Sequence, residues 1–265
     1  MKLNAWKEKN AKIIFDYYVI ESTEYVSYIL KEIITFVLQK KNVLNDELLT
    51  GEQINLLDHC VHELVNNNKP LAYIVGSVDF LYNTIEVKHP VLIPRTETEY
   101  WCHELIKECH THNFIPQHII DIGCGSGCIG IALLTAFEQA HCDALDLSPE
   151  AVELAQKNSI KNNVNNRYHV LCEDMQHSSF NKNKNFYDII VANPPYISTF
   201  NYTRLDKSVK NWEDKIALTD GHDGAFFIYH IFMQWFDCIK EEGLLIIECD
   251  EISYGAVKNY PEYKA

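Results

Sequence analysis

From Gln117 onward the chain repeats one arrangement. Five short apolar runs appear in order: "HIIDIG", "CDALDLS", "RYHVLCEDM", "FYDIIVANPPY" and "EGLLIIECD". Helical patterns lie among them: "CIGIALLTAFEQA", "SPEAVELAQKNSIKNN" and "GAFFIYHIFMQWFDCIKE". Strands alternating with helices imply βαβ units, and βαβ units imply a mostly parallel, Rossmann-like α/β sheet. Ser148 followed by Pro149 has the chemistry of an N-cap and first helical residue. "HSSFNKNKN", before the fourth run, reads as a polar loop.

The sequence upstream has a different texture. In "STEYVSYILKEIITFVLQKK", Val26, Ile29, Leu30, Ile33, Ile34 and Val37 recur at helical spacing. Thr50 and Gln53 have the spacing of a capping box, and Leu57, Cys60, Val61, Leu64 and Val65 then line one face. "NNNKP" ends that helix. Residues 1–70 are therefore expected to form a small helical bundle. "AYIVGSVDF" and "NTIEVKHPVLI" read as a β-hairpin linker over 71–94. The α/β domain then occupies 95–265, opening with a helix in "ETEYWCHELIKECHTH".

Composition narrows the function classes. With 47 % hydrophobic residues the chain can pack a core. Its formal net charge of −14 disfavours a large duplex-DNA footprint. No apolar run reaches the ~20 residues of a membrane span, and the polar N-terminus lacks a signal-peptide core. Nine cysteines without a C-x-x-C pair fit a reducing, cytoplasmic compartment. Cys102 and Cys109 are seven positions apart. Zinc ligand pairs on a helix are usually about three to five apart, so no metal site is expected there.

The chemistry concentrates at the ends of the apolar runs. "DIGCGSGCIG" holds Asp121, Gly123, Gly125 and Gly127. Such glycines allow a tight turn and close approach of a ligand to the backbone, ahead of a helix with free N–H groups. A carboxylate two positions before the first glycine suits a ligand carrying an ammonium group better than one carrying phosphates. Asp146, about 20 residues on, stands where a carboxylate accepts both hydroxyls of a ribose. Asp174 ends the third run and can accept from an exocyclic amine. Leu147 and Met175 flank those carboxylates and can sandwich a flat base. Together these residues describe a pocket for S-adenosylmethionine.

The fourth run ends in Asn193-Pro194-Pro195-Tyr196. Two prolines fix two φ angles and push the residues before them towards extended conformations, so the turn is stiff. In a doubly wound sheet the fourth strand lies beside the first, at the switch point where ligands bind. The Asn193 side-chain carbonyl and the Pro194 backbone carbonyl are two acceptors at fixed separation. They can grip both N–H bonds of a planar NH2 group while Tyr196 stacks on it. Holding an amide or aromatic amine this way returns electron density to nitrogen and aims its lone pair at a sulfonium methyl.

These stretches resemble the motifs of class I methyltransferases acting on planar nitrogens. "KPLAYIVGSVDFLYNTIEVKHPVLIPRTETE" and "IALTDGHDGAFFIYHI" are similar to signatures of the HemK/PrmC-type peptide-chain-release-factor glutamine N5-methyltransferases. The resemblance implies methylation of the glutamine amide in the Gly-Gly-Gln motif of release factors. It implies S-adenosylmethionine held by Asp121, Gly123, Gly125, Asp146 and Asp174, and an amide held by Asn193, Pro194 and Tyr196. Arg95 and Glu97 match the stretch that shapes the pocket. A monomer without membrane or duplex-DNA partners is expected, with the helical bundle recognising the protein substrate. Two departures stand out. Thr96 replaces a usual proline, and no pattern for the family's last two strands follows the fifth run. Three alternatives stay open: a ribosomal-protein glutamine methyltransferase, an adenine-N6 nucleic-acid methyltransferase, and a binding protein of this fold that has lost its chemistry.

Overall fold

The computed structural model describes residues 1–18, 22–180 and 184–258. The described chain divides into two compact units, one over 1–76 with 207–212 and one over 77–206 with 213–258. The first unit is helical, with α1 Leu3–Tyr18, α2 Thr23–Leu38, α3 Gly51–Asn66 and α4 Leu71–Val75. Its core gathers Leu3, Trp6, Ile14, Ile29, Ile33, Leu57 and Leu64. The Trp6 indole N–H inside it donates to Asp58 at 2.7 Å. The capping box of Thr50 and Gln53 is formed as the sequence predicts.

Leu71–Val75 differs from expectation. "LAYIV" is a helical turn, and the hairpin begins only at Ser77. Pro70 precedes that turn and Gly76, at φ 84°, closes it in the left-handed region. A short apolar run does not by itself tell helix from strand. Here the flanking proline and glycine decide.

The second unit runs β1 Ser77–Phe80, β2 Asn83–Glu86, α5 Thr96–Thr111, β3 His118–Ile122, α6 Cys128–Ala136, β4 His141–Asp146, α7 Pro149–Lys161, β5 Tyr168–Cys172 and β6 Tyr187–Ala192. Then follow α8 Thr199–Tyr202, α9 Lys207–Trp212 (grouped with the helical unit), α10 Lys215–Leu218, α11 Phe226–Trp235, β7 Ile239–Ile247 and α12 Glu251–Val257. β1 and β2 pair antiparallel. The other strands form a parallel sheet in the order β5-β4-β3-β6-β7. This is the class I methyltransferase arrangement. Ser148 caps α7 by accepting from Ala151 N–H, with Pro149 as its first residue. Among the described residues β7 stands at one edge, and the two further strands implied by the resemblance are not found. Part of the polar loop before β6, residues 181–183, lies outside the described residues.

Strand alternation sets the two faces of the sheet. Ile119, Ile189 and Val191 face the core shared with α5 and α6. Ile120, Ile122, Ile190 and Ala192 face Ile231 and Trp235 of α11. The register then fixes the site. Ile122 pairs with Ala192 and Ala192 with Ile247, so Gly123, Asn193 and Glu248 leave three adjacent parallel strands side by side.

Candidate active site

A cavity of ≈ 490 Å³ opens at the C-terminal ends of these strands. This is the crevice where ligands bind in open α/β sheets, and its size suits a small molecule. Gly123, Gly125, Asp146, Leu147, Asp174, Met175, Asn193, Pro194 and Pro195 all line it. Asp121, Gly127 and Tyr196 do not.

The wall from β3 and β4 is built for close approach. Gly123 and Gly125 have φ of 72° and 54°, and a Cβ on either would meet nothing within 4 Å. Their bare faces leave room for a ligand against the backbone. Asp146 braces this turn, accepting from Gly125 N–H at 2.8 Å and from Ser148 N–H at 2.9 Å. Each oxygen thus keeps accepting capacity for a ligand hydroxyl. Burial pushes the Asp146 carboxyl above the usual carboxylate range, against the backbone N–H donors that lower it. Leu147 is 61 % exposed, an apolar side chain beside the cavity without a full protein covering. Asp174 accepts from Gln176 N–H at 2.9 Å.

Asp121 occupies a different place from that expected of an ammonium ligand. It shares the parity of Ile119, so its side chain enters the α6 face of the sheet. It is fully buried, and one oxygen accepts from Gly130 N–H at 3.0 Å. Its other oxygen has no hydrogen-bond partner. Burial pushes its carboxyl up to about 7, with the nearby Asp146 charge adding to the rise. Asp121 therefore anchors α6 beneath the glycine turn. Gly127, at φ 81°, caps α6 and packs near Tyr168 and Ala155 instead of lining the cavity.

On the opposite wall, Pro194 is buried and Asn193 half-buried. Asn193 Nδ2 donates to Thr98 Oγ1 at 3.1 Å. The Tyr196 hydroxyl donates to Glu248 at 3.0 Å, and burial together with that carboxylate pushes its ionisation well above the ordinary phenol value. The chain beyond is held by Ile197 N–H donating to Leu218 O and Thr199 N–H to His222 O, each at 3.0 Å.

Pro90, Val91 and Leu92 line the cavity from before α5, and Asp214 to Ala217, Thr219, Asp220 and Gly221 line it from the loop after β6. Asp214 N–H donates to Pro90 O at 2.9 Å, joining these two segments. Asp220 accepts from the N–H groups of His222, Gly224 and Phe226 and folds the "DGHDG" loop around itself. Phe227 and Ile231 of α11 complete the lining. Arg95 is not part of the lining; it pairs with buried Glu213, whose pKa burial raises and the guanidinium lowers. No residue type marks these segments as pocket walls; the resemblance implies that role only for Arg95 and Glu97, and neither lines the cavity.

Comparisons with known proteins agree with this architecture. The Methyltransferase small domain family matches residues 102–207. The chain is 36 % identical over 196 residues to a release factor glutamine methyltransferase of Fusobacterium nucleatum, covering 72 % of this chain and 52 % of that protein's length. It is 30 % identical over 247 residues to the release factor glutamine methyltransferase of Thermodesulfovibrio yellowstonii, covering 92 % of this chain and 84 % of that protein. A ribosomal protein uL3 glutamine methyltransferase of Francisella tularensis is 28 % identical over 229 residues, covering 83 % and 69 %. At 30 % identity over 92 % of this chain and 84 % of the Thermodesulfovibrio protein, this chain belongs to the release factor glutamine methyltransferase family.

Proposed function

We propose that this chain transfers the methyl group of S-adenosylmethionine to the side-chain amide nitrogen, N5, of the glutamine in the Gly-Gly-Gln motif of translation release factors. One observation carries the reading. Asn193, Pro194 and Pro195 line a cavity whose other wall is a bare glycine turn braced by a carboxylate, and we assign Asn193 Oδ1 and Pro194 O as the two acceptors there.

The residues present fit the donor. Gly123 and Gly125 leave the space its chain needs against the backbone, and Asp146 retains lone pairs for two ribose hydroxyls. Asp174 accepts from the adenine amine, and Leu147 and Met175 cover the base. Bound there, S-adenosylmethionine supplies an electrophilic methyl carbon on a sulfonium. Asn193 Oδ1 and Pro194 O each accept one N–H of the glutamine amide. These bonds return density to nitrogen and fix its lone pair towards the donor. Positioning of this kind lowers a barrier by about 7–11 kcal/mol in favourable cases. Pro195 keeps the turn rigid, and Tyr196, which lies outside the cavity lining, ties the far end of the turn to Glu248 instead of stacking on the amide. No strong base is required, because the proton leaves after the nitrogen has gained its methyl group.

We assign substrate recognition to the helical unit, and a monomer suffices for the reaction. The uL3-type relative makes ribosomal glutamine the second reading. The test is transfer of labelled methyl from S-adenosylmethionine to purified release factor, ribosomal protein uL3 and DNA in parallel, with Asn193→Ala as a second arm. Label on the release factor glutamine, lost in Asn193→Ala, is expected. Label on DNA and on neither protein overturns the proposal. Failure to bind the donor in calorimetry identifies a fold that has lost its chemistry.

A further inference from the structure

Whether Asn193 can hold an amide depends on which way its own amide faces. The carbonyl must be available to the substrate and the NH2 must be turned away. Asparagine is nearly symmetric in shape, so packing cannot choose between the two orientations. Only hydrogen-bond polarity can.

Around Asn193 that polarity traces back to one carboxylate. Glu248 Oε2 accepts from Thr98 Oγ1 at 2.6 Å and from Trp101 Nε1 at 2.7 Å. Glu248 Oε1 accepts from the Tyr196 hydroxyl at 3.0 Å. An ionised carboxylate only accepts, and an indole N–H only donates. Thr98 has a single hydroxyl proton, and the short bond to Glu248 uses it. Its oxygen can then only accept from Asn193. The contact at 3.1 Å must therefore be Nδ2 donating to Oγ1. The reversed amide would set two oxygens against each other with no proton between them.

The fold brings this chain of donors together. Thr98 is 2 % exposed, in the first turn of α5. Glu248 follows β7, and its N–H donates to Ala192 O at 2.9 Å, next to Asn193. The geometry points to Glu248 and Thr98 as positioning residues that set the direction of the Asn193 amide and hold Tyr196, so that both ends of the Asn-Pro-Pro-Tyr turn are fixed by one carboxylate. The inference rests on the proposed role of Asn193 as an acceptor for the substrate nitrogen.

The test uses the full chain as wild type, Thr98→Val, Thr98→Ser and Glu248→Gln. Valine keeps the shape of threonine and removes the hydroxyl; serine restores the hydroxyl. Glutamine can still offer its carbonyl to Thr98 and Trp101 and its NH2 to the Tyr196 oxygen, so the polarity survives. Turnover at saturating donor and release factor is expected to fall about 10²-fold in Thr98→Val, the scale of a misplaced catalytic group. Thr98→Ser and Glu248→Gln should stay within about tenfold of wild type by the same reasoning. Donor affinity by calorimetry should be unchanged in all three.

A second readout needs no turnover. In ¹⁵N-labelled protein the Asn193 side-chain amide protons should exchange slowly with solvent in the wild type and rapidly in Thr98→Val. Equal turnover in Thr98→Val and wild type, equal losses in Thr98→Val and Thr98→Ser, or a loss confined to donor affinity overturns the inference. If Thr98→Val does not fold, fast exchange of the wild-type Asn193 amide, or a Glu248→Gln loss as deep as that of Asn193→Ala, overturns it. If wild type labels no release factor, the substrate reading fails while the exchange measurement still judges the network.

Discussion

Asp146 Oδ2 accepts the N–H of Gly125 at 2.8 Å, so the end of β4 holds the glycine turn that follows β3. The same carboxylate accepts Ser148 N–H and stands at the cavity. In the proposed reading it would serve the donor twice, as an acceptor and as a brace for the turn. Asp146→Ala is expected to weaken binding of S-adenosylhomocysteine by about 2–3 kcal/mol, the scale of a charged hydrogen bond removed from a buried site. That is roughly a 30- to 150-fold rise in Kd. Calorimetry measures it directly. An unchanged Kd removes Asp146 from the binding site.

Asp121 yields a prediction in pH. Its folded-state pKa is raised to about 7, mainly by burial, whereas the unfolded chain has an ordinary aspartate near 3.9. Between those values the unfolded chain has released a proton that the folded protein keeps. Stability from this group is therefore fully present below about pH 4 and lost as pH rises through about 7. The loss by pH 8 is roughly 4 kcal/mol. Asp121→Asn keeps an oxygen for Gly130 N–H and removes the titration. Its Tm relative to wild type should rise from pH 5 to pH 8, with donor affinity changing far less than in Asp146→Ala. A Tm difference that is flat or falls with pH contradicts this placement of the carboxylate.

The position of Asp121 was readable from the sequence by a rule that motif reading bypasses. Alternate residues of a strand face opposite sides, and Ile120 and Ile122 must cover the α11 face. Asp121 then has to enter the other layer, beneath α6. The sheet itself was legible because its apolar runs and helical spacings are long and regular. The N-caps Thr50 and Ser148 were legible because capping is local chemistry. The role of Glu248 was hidden. Its three donors, Thr98, Trp101 and Tyr196, come from segments 52 to 150 positions away, and only strand register brings them together. The helical turn "LAYIV" is not legible as helix because five apolar residues carry no period.

The loop after β6 bears on the Asn-Pro-Pro-Tyr turn through Gly224. At φ 92°, a Cβ there would stand 2.2 Å from the Tyr196 carbonyl oxygen. That oxygen is backbone and cannot move aside without carrying the turn with it. Gly224→Ala should destabilise the fold by about 2–4 kcal/mol, combining left-handed strain with the clash, and should lower turnover sharply. Gly221 is the control. It also has a positive φ, 77°, but nothing within 4 Å of its Cβ. Gly221→Ala should show only about 1–2 kcal/mol of conformational strain. Urea unfolding compares them, and equal losses would mean that contact with Tyr196 contributes nothing.

Asn158 links the hairpin to the glycine turn. Fully buried in α7, its Nδ2 donates to Glu86 O at 3.0 Å and Ser126 O at 2.9 Å, while its Oδ1 accepts from Glu86 N–H at 2.7 Å. Only an amide supplies two donors and an acceptor in this arrangement. Asn158→Leu removes the side-chain partner of one buried backbone group, Ser126 O, and two half-buried ones, Glu86 N–H and O, and should cost about 2–4 kcal/mol. Asn158→Asp separates polarity from packing. Protonated, the new side chain still donates once; ionised, it faces two carbonyl oxygens with no donor. Burial next to two carbonyls raises its folded pKa above the unfolded value, so its stability is retained at low pH and lost as pH rises. The Tm of Asn158→Asp should thus fall away from wild type between pH 5 and pH 8, while that of Asn158→Leu keeps a constant offset. Because Ser126 lies within the glycine turn, both variants should also bind S-adenosylhomocysteine more weakly. Donor binding left intact in a destabilised Asn158→Leu protein would show that the hairpin bond steadies the fold without steadying the turn.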